Sequence, residues 1–120
     1  MADVENVEGC IFCSAALGKT PVDVVHDGED VLFFRDISPK ARVHILGIPK
    51  KHIESLSKVT EEDRELVASL MSCAVTVARG QGLLDGGYRV VINDGPDAGQ
   101  EVQHLHIHIL GGERLGPLQC

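Results

Sequence analysis

The sequence predicts an α+β fold: five strands in one sheet, with a long helix packed on one face and a short helix beside it. Three features lead there. Apolar residues recur at helical spacing in two stretches only, residues 10–17 and 60–79. Five short runs rich in Val, Ile and Leu are separated by Gly, Pro and Asp turns. The runs are grouped around the two helices, the pattern of an α+β sheet. At 120 residues, 43% hydrophobic and 24% charged, the chain has the size and composition of one domain. Residues 1–9 read as a flexible, acidic N-terminal tail and residues 10–120 as that single domain.

Each element has its own signal. Residues 10–17 put apolar groups on one helical side and stop at Gly18, after which Thr20-Pro21 breaks the helix. Residues 22–26 and 31–36 flank the Asp27-Gly28 turn as the two strands of a hairpin. Ser38-Pro39 turns the chain again. Residues 43–48 form a third strand, closed by Pro49, which has no N–H for a central ladder. Thr60 is an N-cap followed by Glu61, Glu62 and Asp63, and Leu66, Val67, Leu70, Met71, Ala74, Val77 and Ala78 continue at helical spacing. That long helix covers 60–79 and ends at Gly80 and Gly82. Residues 88–92 and 102–110 are the fourth and fifth strands, joined by the loop 93–100.

Composition excludes several roles. Eighteen acidic against eleven basic residues give a net charge of −7, and no basic run is longer than Lys50-Lys51. Nucleic acid is therefore not the partner, since phosphate neutralisation needs a basic stripe. A small anion remains compatible, because a local pocket of amides and imidazoles can be positive on an acidic protein. No basic-then-apolar leader and no long apolar span is present, so neither secretion nor a membrane is expected; the cytoplasm is, with the nucleus open. In that setting Cys10, Cys13, Cys73 and Cys120 are thiols or metal ligands. Cys73 reads as a buried apolar thiol on the long helix and Cys120 as an exposed one. So small a domain has little surface for a large pocket, which favours an oligomer.

The chemistry concentrates in His104-Leu105-His106-Ile107-His108-Ile109-Leu110. A strand alternates its side chains, so the three imidazoles share one face, rooted about 6.6 Å apart, while Leu105, Ile107 and Ile109 enter the core. The residues alone leave a polar sheet face and a histidine-rich metal strand both open. Cys10-Ile11-Phe12-Cys13 is a C-x-x-C pair suited to two thiolates on one tetrahedral ion; a redox pair would want a preceding strand, where here an acidic tail stands. The glycines of the 93–100 loop, Gly95 and Gly99, allow either a plain turn or amides converging on an anion. Ile11, Phe12, Phe34 and Ile37, by themselves, read as core packing.

Residues His104 to Leu110 resemble the His-φ-His-φ-His-φ-φ motif, φ apolar, of the histidine-triad (HIT) family. The resemblance continues through Asp36-Ile37-Ser38-Pro39, Val43-His44, Ile48-Pro49-Lys50-Lys51-His52-Ile53 and Tyr88-Arg89-Val90-Val91-Ile92-Asn93-Asp94-Gly95, spans residues 10–113, and is nearest the Hint branch of nucleoside phosphoramidases. It implies a five-stranded antiparallel sheet with one long and one short helix. Two such chains would join edge to edge as a homodimer with a continuous ten-stranded sheet.

The resemblance also implies a reaction, hydrolysis of purine nucleoside 5′-phosphoramidates of the AMP-NH2 or AMP-lysine type. His106 would attack the α-phosphorus, carry the nucleotidyl group and yield it to water, splitting one displacement into two easier ones. Neutral imidazole, with an ordinary pKa near 6.5, suits that role. His108 would donate to a non-bridging oxygen, His44 would close the histidine network and His104 would complete the triad. Asp36 would accept from the ribose hydroxyls, and Ile11, Phe12, Phe34 and Ile37 would sandwich the base. Asn93 and the amides of Gly99, Gln100 and onward to Val102 would hold the phosphate. No cofactor is needed for this chemistry. A structural zinc ion on Cys10, Cys13, His52 and His104 is implied as well, without touching His106.

Two departures stand out. Glu101 occupies the position of the family's serine or threonine, whose hydroxyl can pass a proton to the leaving amine. It is either a replacement acid or an outward-pointing carboxylate that leaves proton transfer to water. The C-terminus lacks the tryptophan-bearing tail of close Hint relatives. Other activities of the same scaffold are dinucleoside polyphosphate hydrolysis and feeble turnover in a nucleotide-binding scaffold protein.

Overall fold

The computed structural model describes residues 7–117. Helix α1 is Ile11–Ala16 and strands β1 and β2 are Val24–Asp27 and Val31–Arg35. Strand β3 is Val43–Pro49, helix α2 is Arg64–Gly80, and strands β4 and β5 are Tyr88–Val91 and Ile107–Gly111. The five strands form one sheet in the order β1-β2-β3-β5-β4, every neighbouring pair antiparallel. This is the α+β arrangement the sequence predicts. Of the tail expected over 1–9, residues 1–6 lie outside the described residues, as does Cys120. Val7 is tied in: its N–H donates to Cys13 Sγ at 3.3 Å, and its carbonyl accepts from the Cys10 N–H.

Both sheet faces are covered, which explains why Val31, Leu32, Phe33 and Phe34 are all buried although strand side chains alternate. Val31 and Phe33 join Ile45, Ile107 and Ile109 under Leu70, Ala74, Val77 and Ala78 of α2. Leu32, Phe34, Leu46 and Ile48 face the other way and pack with Phe12 and Ala15 of α1. Gly47 sits where the Phe33 ring crosses the strand; a Cβ there would lie 2.3 Å from a ring carbon.

Two boundaries and the burial of one side chain differ from expectation. The long helix does not start at residue 60. Asp63 Oδ2 accepts from both the N–H and the hydroxyl of Thr60, a single 3₁₀ turn fills Glu61–Asp63, and regular α-helix begins at Arg64. Strand β5 is shorter than residues 102–110. The β3 ladder with β5 ends at Gly47 opposite Ile107 although β3 runs on to Pro49, and β4 ends at Val91 opposite His108, so the chain before Ile107 pairs with neither strand. It is held instead by the Leu105 N–H donating to the Ile53 carbonyl at 2.6 Å. Cys73 is half-buried at the margin of the α2 core rather than enclosed.

Candidate active site

Strands β3 and β5 pair with Leu46 opposite His108 and His44 opposite Leu110, which puts both histidines on the face away from α2. Their rings meet there, His44 Nε2 to His108 Nδ1 at 2.9 Å. The direction of that bond follows from its neighbours. The backbone N–H of Lys40 donates to His44 Nδ1 at 3.0 Å, so the neutral His44 ring carries its proton on Nε2 and donates it to His108. His108 then carries its own proton on Nε2. Asp36 Oδ2 lies 3.4 Å from His44 Nε2, and Asp36 Oδ1 accepts the Ser38 N–H at 2.8 Å in the turn that Ser38-Pro39 announces. Burial, reinforced by the neighbouring His106 and His44, holds the His108 pKa down to about 4. Burial also lowers His44, against the pull of Asp36. Both rings are neutral at pH 7.

His106 has the opposite tautomer. Its Nδ1 is 2.7 Å from the His104 carbonyl, which can only accept, so Nδ1 bears the proton and Nε2 of the neutral ring has the free lone pair. Phe12 packs edge-on against the His106 ring at 5.1 Å, and His108 stands 5.1 Å away on another side.

A cavity of about 370 Å³ opens over these rings, and His106 and His108 line it. Asp36, Asn93, Gly99, Glu101 and Val102 reach it as well. So do the four expected base contacts, Ile11, Phe12, Phe34 and Ile37. Phe12 and Phe34 belong to the core at the same time, whereas Ile11 and Ile37 are 56% and 93% exposed, a placement that packing alone does not explain. Thr20, Pro21, Val22 and Leu46 complete the wall and had no distinguishing signal in the sequence.

Three expected residues are placed differently. His104 does not line the cavity: its ring is 0% exposed, with Nε2 on the Pro49 carbonyl and Nδ1 beside the Cys10 and Cys13 thiols, so within the triad it offers the cavity side only its carbonyl. The N–H groups of Gly99 and Gln100, expected at the phosphate, are spent inside their own loop on the carbonyls of Pro96 and Gly95. Gly99, at φ +80°, closes that turn in a conformation open to glycine. The Gln100 side chain is a brace, donating to the carbonyls of Glu54 and Val102 and accepting from the Gly95 N–H. The N–H groups of Glu101 and Val102, next along the chain, have no acceptor among the described residues, and neither has the Asn93 side chain.

On the far side of His104 a second cluster forms. Sγ of Cys10 and Cys13 and Nδ1 of His104 and His52 all lie within 4.8 Å of one another. Individual separations are 3.4 Å for Cys10 to His104, 3.2 Å for Cys13 to His52 and 3.5 Å for Cys13 to His104. Tetrahedral ligands at zinc bond lengths stand roughly 3.3–3.8 Å apart, so these separations and the Cys₂His₂ donor set are compatible with that ion. His104 Nε2 donates to the Pro49 carbonyl at 2.8 Å, which leaves Nδ1 deprotonated towards the thiols. Burial holds His104 down to about 4, the neutral form a ligand needs, and raises the Cys13 thiol.

A family profile described as HIT domain matches residues 18–115. The purine nucleoside phosphoramidase of Escherichia coli is 38% identical over 111 residues, 92% of this chain and 93% of that one. A 14 kDa zinc-binding protein of Zea mays is 46% identical over 107 residues, 88% of this chain and 83% of its own. The crystal structure of a HIT family hydrolase from Legionella pneumophila matches with a TM-score of 0.88 at 44% identity, covering 90% of this chain and 96% of that one.

Proposed function

The chain belongs to the HIT-domain family, a family with hydrolases among its members, and from that premise we propose that it hydrolyses purine nucleoside 5′-phosphoramidates through a nucleotidyl-histidine. The observation that carries the reading is the pair of opposite tautomers in one cavity: a lone pair on His106 Nε2 beside a proton on His108 Nε2. A phosphorus centre needs that pair, a nucleophile and a donor to the oxygen that gains charge.

His106 Nε2 forms the N–P bond, the bond from phosphorus to the departing amine breaks with its electron pair on nitrogen, and that nitrogen takes up a proton. Water then attacks the same phosphorus and His106 leaves with its electron pair restored. His108 donates to a non-bridging oxygen, and the amides of Glu101 and Val102 with the Asn93 side chain supply further donors. Asp36, oriented by the Ser38 N–H, accepts from the ribose. The apolar wall of Phe12, Phe34, Ile11 and Ile37 takes the base, with no group that favours adenine over guanine.

A zinc ion on Cys10, Cys13, His52 and His104 supplies a cross-link between α1 and the histidine segment and takes no part in bond breaking. Two copies pair through β4, the regular edge of the sheet. β1, the other edge, carries a register irregularity between Val24 and His26 that disfavours pairing. Among the described residues no helix is long and apolar enough to cross a membrane, and reduced thiols fit the cytoplasm.

The test is a panel of AMP-NH2, AMP-lysine, an AMP ester and a dinucleoside polyphosphate offered to the purified protein. Preference for the amides, with a covalent AMP adduct trapped on His106, is the expected result; preference for the polyphosphate overturns it.

A further inference from the structure

A second cavity, of about 470 Å³, adjoins the first; Ile11, Glu101 and Val102 line both. Glu101 thus stands where the space above His106 continues past the phosphate-facing amides. It is exposed, and its carboxylate has no hydrogen-bond or ion-pair partner among the described residues. No lysine or arginine lines the second cavity, whereas Glu54 and Glu8 do. Arg35, in the first, is committed to Asp23 and Gln81. A nucleotide filling the first cavity presents its phosphorus substituent towards this junction, because base and ribose are taken by the apolar wall and Asp36.

We propose that the second cavity receives the leaving amine and that Glu101 selects leaving groups carrying an additional positive charge, such as an α,ω-diamine joined to the phosphorus through one nitrogen. The inference rests on the phosphoramidase reading and names its substrate class. A carboxylate beside a phosphate repels it, which makes Glu101 a poor choice for holding a bare nucleotide. It becomes a favourable one when the substrate brings its own ammonium group to the junction. In the reaction His106 bonds to phosphorus and the P–N bond breaks. The departing nitrogen takes a proton from solvent, which reaches this exposed position, while the distal ammonium stays beside Glu101 until the free diamine diffuses away.

The experiment compares kcat/KM for two AMP amides of equal length, one made from n-pentylamine and one from 1,4-diaminobutane, with AMP-NH2 as reference, in the native protein, Glu101→Gln and Glu101→Asp. An exposed charge pair supports a preference of about three- to tenfold for the diamine conjugate. Glu101→Gln brings that ratio close to one, Glu101→Asp retains most of it, and added salt lowers it in the native protein and in Glu101→Asp but not in Glu101→Gln. Each ratio is internal to one variant, so a general loss of activity cancels, and the intrinsic leaving abilities cancel between variants. A native ratio near one, or a ratio unchanged in Glu101→Gln, overturns the assignment while leaving the phosphoramidase reading intact. Hydrolysis of none of the three amides removes both.

Discussion

Each histidine of the motif has a different task because one ring nitrogen of each is committed to a different partner: His104 Nε2 to Pro49, His106 Nδ1 to the His104 carbonyl, His108 Nδ1 to His44. His106→Ala is expected to abolish turnover while AMP binding stays within roughly tenfold, measured by steady-state rates and calorimetry, since nucleophile and pocket are separate features. In the proposed reaction His44 positions rather than reacts. His44→Ala frees the His108 tautomer and is expected to lower kcat about ten- to a hundredfold with little change in KM. His44→Asn, which keeps a donor near His108 Nδ1, restores part of the loss. Gly47→Ala must move the Phe33 ring and is expected to cost about 1–3 kcal/mol in urea unfolding.

At the scale of elements, α1 links the two centres. Phe12 lies between Cys10 and Cys13 in sequence and packs on the rings of His106 and His104. Cys10→Ser with Cys13→Ser is expected to lose about one metal ion per chain and to lower the melting temperature. Acid should also unfold the sheet early. The His108 value is about 4 in the folded chain against 6.5 ordinarily, so the unfolded chain binds the proton first. Its contribution is complete above pH 6.5 and lost progressively as pH falls towards 4; His44 acts in the same sense. Melting temperature recorded from pH 7.5 to 4 checks this, and a flat profile contradicts it.

What the sequence displayed at this scale was alternation. Period two from His104 to Ile109 placed the rings and the core residues correctly, even though ladder pairing begins only at Ile107. The shortened ladder was hidden because pairing depends on where β4 ends and where the chain joins β3, which is not written in residues 102–106. The Lys40 N–H and the internally used amides of Gly99 and Gln100 were equally hidden: every residue has an N–H, and only the folded loop shows which are spent.

For the molecule as a whole, a net charge of −7 coexists with an anion-binding proposal because the first cavity is small and its donors local. The face of α2 turned from the core carries Met71 and Val75, 38% and 41% exposed, and β4 leaves one sheet edge open. Pairing of two copies there predicts a dimer in sedimentation equilibrium. Val75→Glu is expected to weaken that dimer if α2 shares the contact with β4, and a native monomer at micromolar concentration contradicts the pairing.

Strand order has a consequence for the chain as it is synthesised. β5 is made after every other strand yet sits inside the sheet, between β3 and β4, and β4 has no other neighbour. Until β5 leaves the ribosome, the nascent chain holds a three-stranded fragment and an unpaired β4, with the inner edge of β3 bare. The His44 to His108 bond spans 64 residues, so the site closes in a single late step. Nascent chains arrested before residue 105 clears the exit tunnel should therefore lack AMP affinity altogether, and should depend on chaperones that cover the β3 edge.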